Sequence, residues 1–432
     1  VKMTMSTALL TDHYELTMLQ AALASGAAHR RAVFEVFARR LPAGRRYGMV
    51  AGTERILDAI QNFQFGDREL EFLRDVIDRP THDFLARFRF SGDIYGYREG
   101  ETYYPGSPIL VVEGRFAEAV LLETIVLSIL NHDCAIASAA ARMVHAAGER
   151  PIIEMGTRRT HERSAVAAAR AAYLCGFGST SNLMAGLEYG IPTAGTAAHA
   201  FTLLHDSEEA AFQAQLASLG TGTTLLVDTY EVAKAVQTAV DLAGPALGAV
   251  RIDSGDLATA AIEVRRLLDD LGARQTRIVV TSDLDEFAIA ALAAAPVDGY
   301  GVGTCLVTGS GAPTANLVYK LVTREDAAGT LSPVAKKSVG KPSRGGRKWA
   351  YRALRDGTAT AEIVTRAPAE EVGRPLLAPL IRDGEIIGRE PLATARARAR
   401  ASMTELPPIA HSLSPGDPAI PTIFNWSWET GA

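Results

Sequence analysis

From Pro151 to about residue 330 the chain repeats one unit: a short apolar run, a polar or glycine-rich corner, then an alanine-rich helical stretch. The runs are "PIIEMG", "CGFGS", "IPTAGT", "TTLLVDT", "GAVRIDSGD", "TRIVVTSD" and "GYGVGT", most followed by sequence such as "SAVAAARAAYL" or "LATAAIEVRRLLDDLG". Continuous apolar runs suit strands covered on both faces, and a helical crossover returns the chain to start the next parallel strand. The rhythm predicts an α/β fold of the (β/α) barrel type. Seven unevenly spaced units predict an irregular barrel rather than a regular eightfold one.

The flanks read differently. "TDHYELTMLQAALASG" has Asp12 and Glu15 at capping-box spacing, Leu16, Leu19 and Leu23 at helical intervals, and Gly26 to end it. "AVFEVFARRLPAGRRYG" alternates like a strand and runs into Arg39, Arg40, Arg45 and Arg46; "TERILDAIQNF" is helical, and "YYPGSPILVVEG" reads as turn, then strand. Residues 1–116 are therefore expected to form an α+β domain, 117–330 the barrel, and 331–432 a C-terminal segment packing on the first domain. With 432 residues, 47% of them hydrophobic, the chain has material for two or three domains. A net charge of −5 leaves no global basic field, which argues against nucleic acid as a partner. Three cysteines without CxxC spacing argue against a disulfide framework or a thiolate metal site. The longest greasy run, "AEAVLLETIVLSIL", is broken by Glu118 and Glu123, and no signal-peptide pattern stands at the start, so no membrane role and a cytoplasmic location are expected.

In a parallel barrel the residues just past each apolar run face one mouth. They are Arg158 and Arg159, Ser179 to Asn182, His199, Asp228, Arg251, Asp253 and Asp256, Asp283 and Asp285, and the glycines of "GYGVGT". Arginine forks, acids for ribose hydroxyls or Mg²⁺, and glycine corners with free N–H groups describe a site for a phosphorylated sugar and an anionic partner. Each has a plainer alternative: rim salt bridges for Arg158 and Arg159, a helix cap for Asp256, close packing for "GYGVGT", core or staple packing for Tyr14, and a solvated face for the arginine quartet. His205 is six residues from His199, which is not the spacing of a helical zinc pair, and leaves His199 as a general base or a nucleophile toward phosphorus.

Several motifs in order resemble the nicotinate phosphoribosyltransferase family: "LLTDHYELTM", "FEVFARRLPAGRRYGMVAG", "EMGTRRTH", "GSTSNLMA", "GIPTAGTAAHAF", "LLVDTYE", "VRIDSGDL", "GVGTCLVTG" and "APTANLVYKLV", over roughly residues 9 to 350. The resemblance implies an irregular barrel of the quinolinate phosphoribosyltransferase-like type with an α+β domain built from both termini. It implies transfer of 5-phosphoribosyl from its pyrophosphate (PRPP) to nicotinate, giving nicotinate mononucleotide and pyrophosphate for NAD synthesis. ATP would assist, His199 carrying a phosphoryl group as the intermediate, which places the enzyme among the ligases. Mg²⁺ would come with substrate, not on a protein metal site. Asp253 would attend the ribose, with Asp256 and Asp283 as supporting ligands. Arg158 and Arg251, with Thr180 and Ser181, would border nicotinate, while Gly303 and Thr304 would take the 5′-phosphate. Tyr14 would stack on the ring from the neighbouring subunit of a homodimer, with Arg39 or Arg40 and the "KKSVGKPSRGGRK" basics reaching pyrophosphate. The chain departs from its nicotinamide-using relatives in having no carboxylate within Ser179–Asn182, which favours an anionic ring acid, and in having Ala198 where they carry an acid before the histidine. Another group, such as Asp253, would then orient His199.

Overall fold

The computed structural model describes residues 5–336 and 343–426. The chain divides into two compact units, 139–311 and a discontinuous one made of 1–138 with 312–432. The division thus falls after Ser138 and Gly311 rather than at the expected 117 and 330. Glu123–Ala147 is a single 25-residue helix that the first division cuts, and Leu317–Glu325 is a strand of the antiparallel sheet rather than the tail of the parallel one. That helix is the one element, among the described residues, long and apolar enough to cross a membrane; 72% of its apolar window is buried inside the protein, the setting of a core helix.

In the 139–311 unit six strands pair in parallel in the order Ser179–Thr180, Ile152–Glu154, Gly299–Val302, Arg277–Ser282, Ala249–Ile252, Thr224–Leu226. Ala249–Ile252 and Gly299–Val302 are buried throughout, as their unbroken apolar runs require. The seventh expected strand, "IPTAGT", contributes one isolated bridge, Thr193 to Thr180. Pro192 has no N–H to give a ladder and Gly195 no side chain to pack, so pairing stops there. Among the described residues the sheet is a half-barrel, unpaired between Thr193 and Thr224–Leu226.

The polar corners turn out to be helix starts. Asp256 accepts from the Thr259 N–H, Asp285 from Phe287 and Ala288, Asn182 from Ala185 and Ser207 from Ala210, each capping the helix that follows. In "DSGD" and "SDLD" alike the last aspartate is used up as a cap, and the first stands at the strand end and lines the cleft.

The other unit holds a seven-stranded sheet in the order Leu331–Pro333, Leu317–Glu325, Arg31–Ala38, Leu110–Arg115, Asp93–Tyr97, Leu377–Arg382, Glu385–Ile386, and a four-stranded sheet formed from the C-terminal segment. Arg31–Ala38 lies between partners from distant parts of the sequence and is buried at every position after Arg31. Helix His13–Ala24 forms as expected, but without the capping box: Asp12 caps no N–H with its side chain, and the Glu15 carboxylate turns inward to accept from the N–H and hydroxyl of Thr124. Arg46 is no solvated charge either; its guanidinium is pinned to the carbonyls of Ser414, Pro415 and Asp417.

Candidate active site

The C-terminal ends of the parallel strands open on a cleft of 440 Å³ lined by Arg158, Arg159, Ser181, the 194–199 segment, Arg251, Asp253, Thr281 to Asp283, Gly303 and Thr304, among others. Of the residues singled out from sequence, His199, Asp253, Arg158, Arg159, Arg251, Ser181, Asp283, Gly301, Gly303 and Thr304 converge here. Arg158 and Arg159 sit exposed on the 3₁₀ turn Thr157–Arg159, and neither makes an ion pair among the described residues, so they are not rim salt bridges. Arg251 is 9% exposed and donates to the Thr196 hydroxyl; burial pulls its pKa below the ordinary arginine value, against the raising influence of Asp253 and Asp228.

His199 begins the helix His199–Leu204. Its Nδ1 lies 3.1 Å from Thr229 Oγ1, and its Nε2 lies 3.8 Å from Asp228 Oδ1 and 3.9 Å from Asp253 Oδ2. Asp253 is held in turn: its N–H donates to Asp228 Oδ2 at 2.8 Å, and its carboxylate accepts the Thr281 hydroxyl. The acid missing at Ala198 is thus replaced by two from neighbouring strands. Sequence reasoning placed Asp228 at the mouth but gave it no role. Here its side chain is 3% exposed, Oδ2 also accepts from Ser254 Oγ at 2.6 Å, and Oδ1 has no hydrogen-bond partner among the described residues and faces the histidine. Its signal was available: an aspartate directly after the apolar run "LLV" sits where Asp253 sits after "RI".

Two expected ligands are corrected. Thr180 is 1% exposed, and its hydroxyl donates to the Glu154 carboxylate beneath the cleft, because strand alternation turns its side chain away from the mouth. Asp256 spends its carboxylate on the Thr259 N–H and hydroxyl, bonds that hold its pKa below the usual aspartate value. In "GYGVGT", Gly301 is a packing glycine: a Cβ there would stand 2.5 Å from Thr281 Cγ2 and 2.7 Å from Met155 Sδ. Tyr14, Arg39 and Arg40 are carried by the other unit, Tyr14 44% exposed on helix His13–Ala24 with its pKa pushed up to about 12 by burial first and then by Glu123 and Glu15. Of the "KKSVGKPSRGGRK" basics, residues 337–342 lie outside the described residues. Lys348 is not free to meet an anion, since it is buried and bonded to Glu35 at 2.7 Å. Among the described residues no three His, Cys, Asp or Glu side chains cluster in a way that could hold a metal ion.

Residues 9–131 match the model of the nicotinate phosphoribosyltransferase N-terminal domain. Over 427 residues the chain is 58% identical to the nicotinate phosphoribosyltransferase pncB1 of Mycobacterium tuberculosis, covering 96% of this chain and 94% of that one. The chain belongs to the nicotinate phosphoribosyltransferase family. It is also 36% identical to the nicotinate phosphoribosyltransferase of Bacillus subtilis, over 83% of this chain and 75% of the relative. The crystal structure of human nicotinic acid phosphoribosyltransferase superposes with a TM-score of 0.81 at 26% identity, covering 96% and 97% of the two chains. A nicotinate-nucleotide pyrophosphorylase from Pyrococcus furiosus shares the fold, with a TM-score of 0.75 at 24% identity over 91% and 95% of the chains.

Proposed function

We propose that this chain transfers 5-phosphoribosyl from PRPP to nicotinate, forming nicotinate mononucleotide and pyrophosphate, and that ATP assists through phosphorylation of His199. The observation that carries the reading is one cleft holding Arg158 and Arg159, which make no ion pair among the described residues, the buried Arg251, and a histidine whose Nε2 faces two carboxylates. Membership in the family, at 58% identity to a named nicotinate phosphoribosyltransferase, supports the choice of substrates.

In the transfer, the ring nitrogen of nicotinate gives its lone pair to C1 of the ribose as the C1–O bond to pyrophosphate breaks, its electrons leaving with pyrophosphate. Positive charge gathers on the sugar, and Asp253, fixed by Thr281 and Asp228, is the carboxylate to attend it. Arg158 and Arg251 take the nicotinate carboxylate with Ser181 beside them, and Gly303 and Thr304 offer N–H groups to the 5′-phosphate. Mg²⁺ enters as part of the PRPP complex, with Asp253 and Asp283 as the nearby acidic groups. In the ATP step the reactive tautomer is the one with Nδ1–H donated to the Thr229 hydroxyl, which lies 3.1 Å away and can accept it, since that leaves the Nε2 lone pair free. Nε2 then forms a bond to the γ-phosphorus while ADP departs, and water later releases phosphate. Tyr14 stacking on the ring, with Arg39 or Arg40 toward pyrophosphate, belongs to a site completed by a second copy in a homodimer.

The test is nicotinate mononucleotide formation from nicotinate and PRPP with Mg²⁺, with and without ATP, in wild type and His199→Ala. Product in wild type that ATP increases, with the ATP gain absent in the variant, is expected; no product under any condition overturns the reading.

A further inference from the structure

Glu154 ends the strand Ile152–Glu154, is 1% exposed, and makes no ion pair among the described residues. An unpaired buried carboxylate is costly to keep, and burial pushes its pKa above the ordinary glutamate value. Stability alone does not call for an acid there. Its two oxygens are divided between two corners of the cleft: Oε1 accepts the Gly156 N–H, and Oε2 accepts the Thr180 hydroxyl. Its main-chain carbonyl takes the Ser181 N–H at 2.8 Å. The ring closes further out, where Asn182 N–H donates to Thr180 Oγ1 at 3.0 Å and Asn182 Nδ2 donates to Thr157 Oγ1 at 3.1 Å. One corner delivers Arg158 to the cleft, and the other delivers Ser181.

We propose that Glu154 is a positioning residue for the ring-acid subsite: by tying the Gly156–Arg158 corner to the Thr180–Asn182 loop, it sets the separation of Arg158 from Ser181 and so the fit to a flat aromatic ring bearing one carboxylate. The inference rests on the reading of the cleft proposed above. A carboxylate suits the task because both its oxygens accept. An amide offers one acceptor and one donor, so Glu154→Gln keeps the tie to Gly156 but meets Thr180 Oγ1 with an N–H, at best a reversed bond to the oxygen's second lone pair, and leaves the Thr180 hydroxyl proton without its acceptor.

The experiment is steady-state kinetics of Glu154→Gln, Thr180→Val and the double variant, with nicotinate and PRPP varied separately and thermal unfolding alongside. Expected is a rise of about tenfold in KM for nicotinate in each single variant, the scale of one lost hydrogen bond, with KM for PRPP and kcat within about twofold of wild type. The double variant is expected to be no worse than the more affected single one, since both act through one bond. The proposal is overturned if the two KM values rise together, if only the unfolding temperature moves, or if the two fold-changes multiply. Should Glu154→Gln fail to fold, Thr180→Val decides alone, and an unchanged nicotinate KM overturns the proposal. Absence of turnover in wild type is a separate result that removes the functional reading itself.

Discussion

Attack of a neutral imidazole on phosphorus leaves the ring carrying positive charge, and two carboxylates lie within 4 Å of the attacking nitrogen. Asp228→Asn removes one of those charges while keeping an acceptor for the Asp253 N–H and the Ser254 hydroxyl. At 3.8 Å, with an effective dielectric of about 20, a full unit charge is stabilised by about 4 kcal/mol. The ring is 39% exposed, and Asp253 remains at 3.9 Å, so solvent and the second acid reduce the loss to about 2 kcal/mol, or roughly thirtyfold in rate. The assay is rapid-quench labelling with ATP carrying γ-³²P, scoring acid-labile protein-bound phosphate. An unchanged labelling rate in Asp228→Asn, against a wild type that labels, refutes the electrostatic argument; a wild type that never labels removes the phosphohistidine instead.

Two further outcomes follow from groups away from the reacting atoms. Burial pushes the Glu15 carboxyl up to about 7 despite its Thr124 hydrogen bonds, so its contribution to stability is full below the ordinary carboxylate range and is lost as pH rises through about 7. Urea unfolding of Glu15→Gln at pH 5 and pH 8 is expected to show about 2 kcal/mol less dependence on pH than wild type; equal dependence in both refutes the assignment. Asp256→Ala is expected to lower the unfolding temperature through loss of its helix cap while leaving KM for PRPP within about twofold, and a large KM change would restore Asp256 as a ligand.

The strands of the parallel sheet were legible because a strand buried on both faces has to be apolar without interruption, which "RIVV" and "TLLV" are. The mouth was legible for the same reason, since the end of an apolar run marks where the next side chains emerge. What the runs do not disclose is how a corner divides its polar groups: Asp253 and Asp256 look alike in "RIDSGD", and only the helix start at Leu257 separates the one facing the cleft from the one capping. Thr180 failed through the two-residue period of a strand, since its neighbour Ser181 faces the opening and it does not. In the C-terminal sheet the central pair, Trp349–Arg355 and Thr358–Thr365, is a hairpin across Asp356–Gly357, a turn signal the sequence carries; what stayed unread are the edge strands Arg374–Pro375 and Thr422–Phe424, two and three residues long and too short to show a pattern.

The discontinuous unit has a consequence for how the chain is made. Arg31–Ala38 needs Leu317–Glu325 on one side, about 280 residues later in the sequence. At roughly 5–20 residues per second, the ribosome leaves that edge without its partner for about a quarter of a minute to a minute. The parallel sheet is drawn from one uninterrupted stretch, so all its strands have emerged before the seven-stranded sheet can close. During that interval the nascent protein presents an apolar strand with a free row of N–H and C=O groups, the kind of edge that pairs with another chain. Faulty synthesis of this protein is therefore expected to begin at its oldest strand, while the half-barrel that carries the cleft is the part already able to stand complete.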